Sequence, residues 1–274
     1  MTTYIRASML PAWPDCPRRA AARQFAQEIR EAGHELRELE PSVGAALGTA
    51  VHAAAAAMAI AKRDTGEAGN VEDHLEQAVA GFREETAAGA VWDDSTPNRR
   101  TAEAQITRQT KAWGSHVLPQ VDPLIVEQRY DPDAGDGFLL TGQLDLVTDA
   151  GAVRDLKAGA LPRPYHAQQG AYSLLLRSQR EPMTPTSLLM DWVPRTRLKK
   201  AQETPETHAY DRREAEKAAS GTIGAIKADL TRWRDGGRAN EWSFLANNNS
   251  LLCSDRYCPA WGTTWCALGR PRNG

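Results

Sequence analysis

The sequence predicts an α/β fold: a mainly helical part over residues 1–120, a strand-rich core over 121–200, and a helix with a cysteine-bearing tail over 201–274. Three observations predict it. Alanine-rich stretches of good helix formers fill the first part. Alternation with period two takes over at LIVEQRY and runs through FLLTGQLDLVT and AVRDLK. Three of the four cysteines then crowd into an ending with no regular period. No internal repeat or low-complexity linker divides the 274 residues, so they read as one domain.

In chain order, RRAAARQFAQEIREAG reads as a helix with a glycine stop. From Ser42, VGAALGTAVHAAAAAMAIAKRD is a helix of small residues, able to pack very closely against a neighbour. DHLEQAVAGFREET and the stretch from Pro97 to about His116 extend the helical region. LIVEQRY, FLLTGQLDLVT and AVRDLK are strands, separated by the turn-rich DPDAGDG and DAG. HAQQGAYSLLLRSQ returns to helix, TSLLMDWVP is a further strand, and REAEKAASGTIGAIKADLTRWRDGG is a long helix. NNNSLLCSDRYCPAWGTTWC has no period and reads as held by its cysteines.

The formal charge of −2 argues against a protein that coats nucleic acid nonspecifically, but allows a local basic groove. No apolar run approaches the roughly 20 residues that span a bilayer. MTTYIRASMLPAWPDCPRRAAAR lacks the apolar core of a signal peptide, so a cytoplasmic protein is expected. Four cysteines in such a chain do not make a disulfide framework.

The strands carry the chemistry. Alternation places Leu140, Leu144 and Leu146 on one face, with Thr141, Gln143 and Asp145 on the other. In AVRDLK, Val153, Asp155 and Lys157 point one way and Leu156 the other. A tight turn at Asp149-Ala150-Gly151 sets Asp145 beside Asp155. Two bare carboxylates this close repel unless a cation bridges them or one keeps its proton. Oxygen ligands of this kind suit Mg²⁺. Glu127 adds a third carboxylate from the adjacent strand, and Lys157 can hold a water or a phosphate oxygen. A solvated hairpin with ordinary surface charges explains the same residues. Gln168 and Tyr172, four apart on one helical face, and His52 among alanines sharpen the choice.

Motif order along the chain resembles the RecB-like branch of the PD-(D/E)XK nucleases, which includes CRISPR-adaptation exonucleases and phage-encoded relatives. The resemblance runs through S-x-x-x-x-W-x-x-C-P-R-R from Ser8 to Arg19, G-x-x-x-H at Gly48 and His52, and V-E-x-x-Y from Val126 to Tyr130. It continues through G-x-x-D at Gly142 and Asp145, D-x-K at Asp155 and Lys157, and Q-x-x-x-Y at Gln168 and Tyr172. It implies a restriction-endonuclease-like core, a mixed central β-sheet flanked by helices. It also implies a phosphodiesterase in which His52, Asp145, Asp155 and the Leu156 carbonyl ligate Mg²⁺ or Mn²⁺. Lys157 would orient the attacking water and stabilise charge on the scissile phosphate, with Gln168 and Tyr172 setting the DNA strand or helping to position Lys157. Glu127 would act as a structural or supporting carboxylate.

By the same resemblance, Cys16, Cys253, Cys258 and Cys266 match a one-plus-three set around a [4Fe-4S] cluster. Their C-x4-C-x7-C tail is wider than the family's common C-x2-C-x5-C, and a structural Zn²⁺ would staple the same ends. Two basic groups suit phosphate contacts: Arg18, Arg19 and Arg23 beside Cys16, and Arg195, Arg197, Lys199 and Lys200 in PRTRLKK. Trp192, Trp233, Trp242, Trp261 and Trp265 are either core residues or stacking platforms for single-stranded DNA. The expected activity is a DNA exonuclease on linear or single-stranded ends, in recombination, repair or phage replication, with a helicase, recombinase or integrase as a partner. The alternatives are a CRISPR-adaptation nuclease that trims spacer precursors, a non-catalytic DNA-binding module, and a purely structural Cys₄ metal protein.

Overall fold

A computed structural model describes residues 2–269. The long strand β4 (Phe138–Thr148) organises the sheet. β1 (Thr3–Arg6) joins it in parallel, and β2 (Pro123–Tyr130) and β3 (Asp133–Gly135) join it antiparallel. β5 (Ala152–Gly159) returns antiparallel to β4 and pairs in parallel with β6 (Ser187–Pro194), whose outer neighbour is the antiparallel β7 (Glu206–Tyr210). The result is a mixed seven-stranded sheet with helices against it, the restriction-endonuclease-like arrangement.

One edge of β4 has a gap. β2 and β3 run along one edge and keep one register from Ile125↔Val147 to Asp133↔Leu139. On the other edge β1 reaches Thr141 and β5 begins at Leu146. Among the described residues, Gly142 to Asp145 therefore have no strand partner there. A Cβ on Gly142 would stand 2.6 Å from Leu175 Cδ1 and 3.1 Å from Ala7 Cβ, so a side chain there would force the Leu175 tip aside in a packed interior.

The helices have legible ends. Ser42, Asn70, Asn98 and Asp211 each cap a helix through the side chain: α3 (Val43–Thr65), α4 (Val71–Glu85), α5 (Arg99–His116) and α7 (Arg212–Asp235). Gly66, at φ +85°, closes α3 in the left-handed conformation that glycine tolerates. The helix expected from Arg18 onward breaks into α1 (Pro17–Gln24) and α2 (Ala26–Glu31), because Phe25 leaves helical geometry and buries its ring edge-on against Trp13. α6 (His166–Arg177) lies close to α7, where a Cβ on Gly170 would stand 1.9 Å from the Ala215 carbonyl oxygen.

Two apolar clusters form the core. One unites β1, α1, α2, α6, α7 and the tail, through Ile5, Trp13, Leu175, Trp233 and Trp265. The other unites α3, α4 and α5 with Leu146, Leu156 and Val193. This corrects the expected face of β4: Leu144 and Val147, three apart, both enter the first cluster, and Leu146 enters the second. Strict alternation is lost at Asp145, where the β2–β4 register also skips the Glu127–Asp145 pair and Glu127 takes φ +51°. α3 corrects a second expectation: an 18-residue window with mean hydropathy 1.7 makes it long and apolar enough for a bilayer, although half of that window is buried inside the protein as in a core helix.

Candidate active site

Four elements converge at the gap in β4. α3 supplies His52, β4 supplies Asp145, β5 supplies Asp155 and Lys157, and α6 supplies Gln168 and Tyr172. Asp145 Oδ2 lies 3.3 Å from His52 Nδ1 and accepts a hydrogen bond from the Leu156 amide at 2.8 Å. Asp155 is fully buried, and its Oδ1 accepts from Lys157 Nζ at 2.7 Å and from Gln168 Nε2 at 3.4 Å. Gln168 Nε2 also donates to Tyr172 Oη at 2.6 Å. Asp145 and Asp155 are neighbours, close enough for the charge of Asp145 to act on Asp155, although strand pairing does not extend to them. The β4–β5 register would oppose them, yet pairing stops at Leu146↔Arg154. Asp145 is held toward α3 and Asp155 toward α6.

Asp155 Oδ2 is buried with no hydrogen-bond partner. An unpaired carboxylate oxygen in the interior is expensive unless a proton or a cation takes it. Burial, with the Asp145 charge adding to it, pushes the Asp155 carboxyl up to about 6 despite Lys157. Burial also works against ionisation of Asp145, but His52 and Lys157 outweigh it and hold that carboxyl below its ordinary range. His52 and Lys157 are raised in turn, because the carboxylates beside them overcome the cost of burying each cation. Two carboxyls of opposite tendency thus flank one lysine.

Glu127 takes a larger place than expected. Among the described residues, His52, Glu127 and Asp145 are the set of three potential ligand atoms that lie within 4.8 Å of one another. Burial and then the Asp145 charge raise the Glu127 carboxyl, and Gln143 donates to it. Asp155 is outside that trio, although it is the carboxylate with an unused oxygen.

Three neighbours escaped the sequence reading. The Tyr165 ring lies 5.0 Å from Lys157 Nζ and helps hold the ammonium. Arg154 grips Asp191 with two hydrogen bonds, at 2.6 and 2.9 Å, and both line a small cavity shared with His52, Glu127 and Asp145. Asp191 carried a signal, since a lone Asp inside the apolar SLLMDWVP requires a buried partner. Tyr165, in the loop before α6, carried none.

The profile of the PD-(D/E)XK nuclease superfamily matches residues 7–266. The chain belongs to this superfamily. Superfamily members use divalent metal ions, and the carboxylates and His52 are ligands of the right kind. A solved structure described as "Putative exonuclease" from Eubacterium rectale aligns with a TM-score of 0.54 at 10% identity, over 91% of this chain and 86% of that one. LHK-Exo in complex with dAMP aligns with a TM-score of 0.31 at 12% identity, over 70% of this chain and 98% of that one. Comparison with curated proteins finds no match.

This PD-(D/E)XK nuclease has a second cluster at its tail. Cys16, Cys253, Cys258 and Cys266 line one cavity together with Arg19 and Asn247. Their thiols stand wider apart than ligands of a single ion. A tetrahedral zinc with bonds of about 2.3 Å sets its sulfurs about 3.8 Å apart, whereas no three of the four Sγ atoms lie mutually within 4.8 Å. Burial pushes the Cys258 thiol up to about 11, so it becomes a thiolate ligand only when a bound cation displaces its proton.

The basic residues separate into two kinds. Arg18 and Arg19 are buried and held by structural bonds: Arg18 Nε donates to the Phe244 carbonyl at 3.1 Å, and Arg19 pairs with Asp15 at 2.6 Å. This corrects their reading as a DNA-facing patch, because their guanidinium groups do not reach the surface. Arg195 is committed to Asp93 at 2.9 Å and Thr96 at 3.2 Å. Arg23, Arg197, Lys199 and Lys200 are exposed. Of the tryptophans, Trp192, Trp233 and Trp265 are core residues, Trp261 is partly buried, and Trp242 is largely exposed.

Proposed function

We propose that the protein is a Mg²⁺- or Mn²⁺-dependent DNA exonuclease that hydrolyses phosphodiester bonds at linear or single-stranded ends, in recombination, repair or phage DNA processing. The observation that carries the metal-dependent reading is the buried, unpartnered Oδ2 of Asp155, whose other oxygen holds Lys157, next to the paired Asp145 and His52. The exonuclease reading is supported by the motif order in the chain and by the name given to the E. rectale protein of similar fold.

His52, Asp145, Asp155 and the Leu156 carbonyl would hold the ion, with Glu127 beside them. A bound divalent ion supplies a water of lowered pKa and positive charge for the attacking and leaving oxygens. The chain's own residues do the rest. The Leu156 amide and His52 fix the rotamer of Asp145. Gln168, anchored on Tyr172, fixes Asp155. Lys157, held by Asp155 and the Tyr165 ring, aims its ammonium at the attacking water and the scissile phosphate. Ser8, Gly48, His52, Gln143 and Lys157 line an open groove, the route for a strand end. The exposed Arg197, Lys199 and Lys200 would bind phosphates without reading sequence. At the tail, the four cysteines that line one cavity would hold a [4Fe-4S] cluster, and a structural Zn²⁺ would staple the same ends.

The test uses anaerobically purified full-length protein with end-labelled linear and covalently closed circular DNA, in Mg²⁺, Mn²⁺ or EDTA. Linear DNA should shorten from its ends with either ion, and stay intact with EDTA or with Asp155→Ala or Lys157→Ala. No cleavage under any metal overturns the enzyme reading, and cutting of closed circles replaces exonuclease with endonuclease.

A further inference from the structure

Arg18 is an anomaly of charge. It is fully buried, yet among the described residues no carboxylate oxygen lies within 4.0 Å of it; the nearby Asp15 is spent on Arg19. Its Nε is satisfied by the Phe244 carbonyl and its plane stacks over Trp242, with Cζ 4.4 Å from the ring centroid. Its Nη1 points at Cys266 Sγ at 3.9 Å, and its Nη2 is buried with no partner at all. A permanent cation in the interior requires an anion.

The cysteine set can supply one. Four thiolates around either [4Fe-4S]²⁺ or Zn²⁺ leave a doubly anionic group, and Cys266 is one of the four. The cavity has no other acidic side chain in its lining. Arg18 is also held rigidly in place beside it. Its amide donates to the Leu245 carbonyl, and its own carbonyl accepts from Trp265 Nε1 at 3.1 Å. We propose that Arg18 is the buried counter-ion of a metal–thiolate group at Cys16, Cys253, Cys258 and Cys266, stabilising its anionic charge and tuning its electron affinity. The inference rests on the metal–thiolate reading given above. It replaces a DNA-contact role for Arg18 with an electrostatic one.

A positive charge beside the group favours every state with more negative charge. Loss of that charge should therefore loosen the metal and, for an iron–sulfur cluster, make reduction harder. The experiment compares full-length wild type, Arg18→Gln and Arg18→Lys, purified anaerobically. Iron, sulfide and zinc per chain, the rate of metal loss to a chelator, and the midpoint potential of any iron–sulfur chromophore are measured. Arg18→Gln keeps a donor for the Phe244 carbonyl but no charge. It should lose metal about tenfold or more faster, with a lower midpoint potential, or fail to fold with metal. Arg18→Lys keeps the charge and should restore metal retention and potential toward wild type. Wild-type protein without metal at the cysteines overturns the metal–thiolate reading itself. A metal-loaded wild type with an Arg18→Gln variant of unchanged loss rate and potential overturns the counter-ion role alone. Equal failure of both variants to fold with metal also overturns it, since it would assign Arg18 to packing.

Discussion

Replacing Asp155 with Asn should make the metal-free protein more stable while abolishing cleavage. Asp155 is fully buried, with one oxygen unpartnered. Its pKa rises from the ordinary 3.8 to about 6, which corresponds to about 3 kcal/mol against the ionised form. That cost is already net of the Lys157 ion pair, which works against it, and Asn, like the protonated acid, offers Lys157 a neutral oxygen. The gain at pH 7.5 should therefore approach about 3 kcal/mol. The sign follows from proton uptake. Between the unfolded pKa and about 6, the folded protein keeps a proton on Asp155 that the unfolded chain has released. Wild-type stability therefore falls as pH rises through that window. Asn does not titrate, so the advantage of the variant should vanish near pH 4 and be complete above pH ~7. Urea unfolding in EDTA at several pH values measures it. A variant less stable than wild type at pH 7.5, or a difference that does not change with pH, would refute the reasoning. Saturating Mn²⁺ should reverse the order, because the ion takes up the carboxylate that Asn lacks.

Lys157→Met should lower single-turnover cleavage by about 10²–10³ while leaving Mn²⁺ binding in place, and retention of a tenth of the rate would exclude the proposed role. His52→Ala should weaken Mn²⁺ binding measured by calorimetry by about tenfold or more, since it removes both a ligand and the support of Asp145. Replacing Arg197, Lys199 and Lys200 together by Ala should weaken DNA binding across sequences and shallow its salt dependence by about one unit of slope per lost phosphate contact. Two glycines should respond oppositely in denaturant titrations. Gly170→Ala forces α6 from α7 and should cost more than about 1–3 kcal/mol, whereas Gly81→Ala in α4 meets nothing within 4 Å and should gain about 0.5–1 kcal/mol.

Legibility followed the range of the forces involved. Caps and period-two runs are local, so α3 to α7 and β2, β4, β5 and β6 could be read directly. β1 and β7 are only four and five residues long and have no alternation to display; each is a strand because a neighbour offers it an edge. The site residues were readable as a set because motif order fixes which ones converge. Their pairing was not, since the loss of alternation at Asp145 depends on contacts from two sides of the sheet. Arg18 and Arg19 show the clearest failure. Sequence shows that an arginine is charged, but its burial is decided by residues 244–266, more than two hundred positions away.

That separation orders the birth of the molecule. Residues 15–19 bond to Phe244, Asn247, Ser250 and Trp265, so more than two hundred further residues must be made before this segment meets its partners. β1 lies on the β4 edge bordering the gap, and the short turn after it carries Ser8 to the groove. Vectorial synthesis thus leaves residues 15–19 without these partners until residues 244–265 have been made, and a chain that stops before Cys253 lacks the Trp265 bond that anchors the Arg18 backbone.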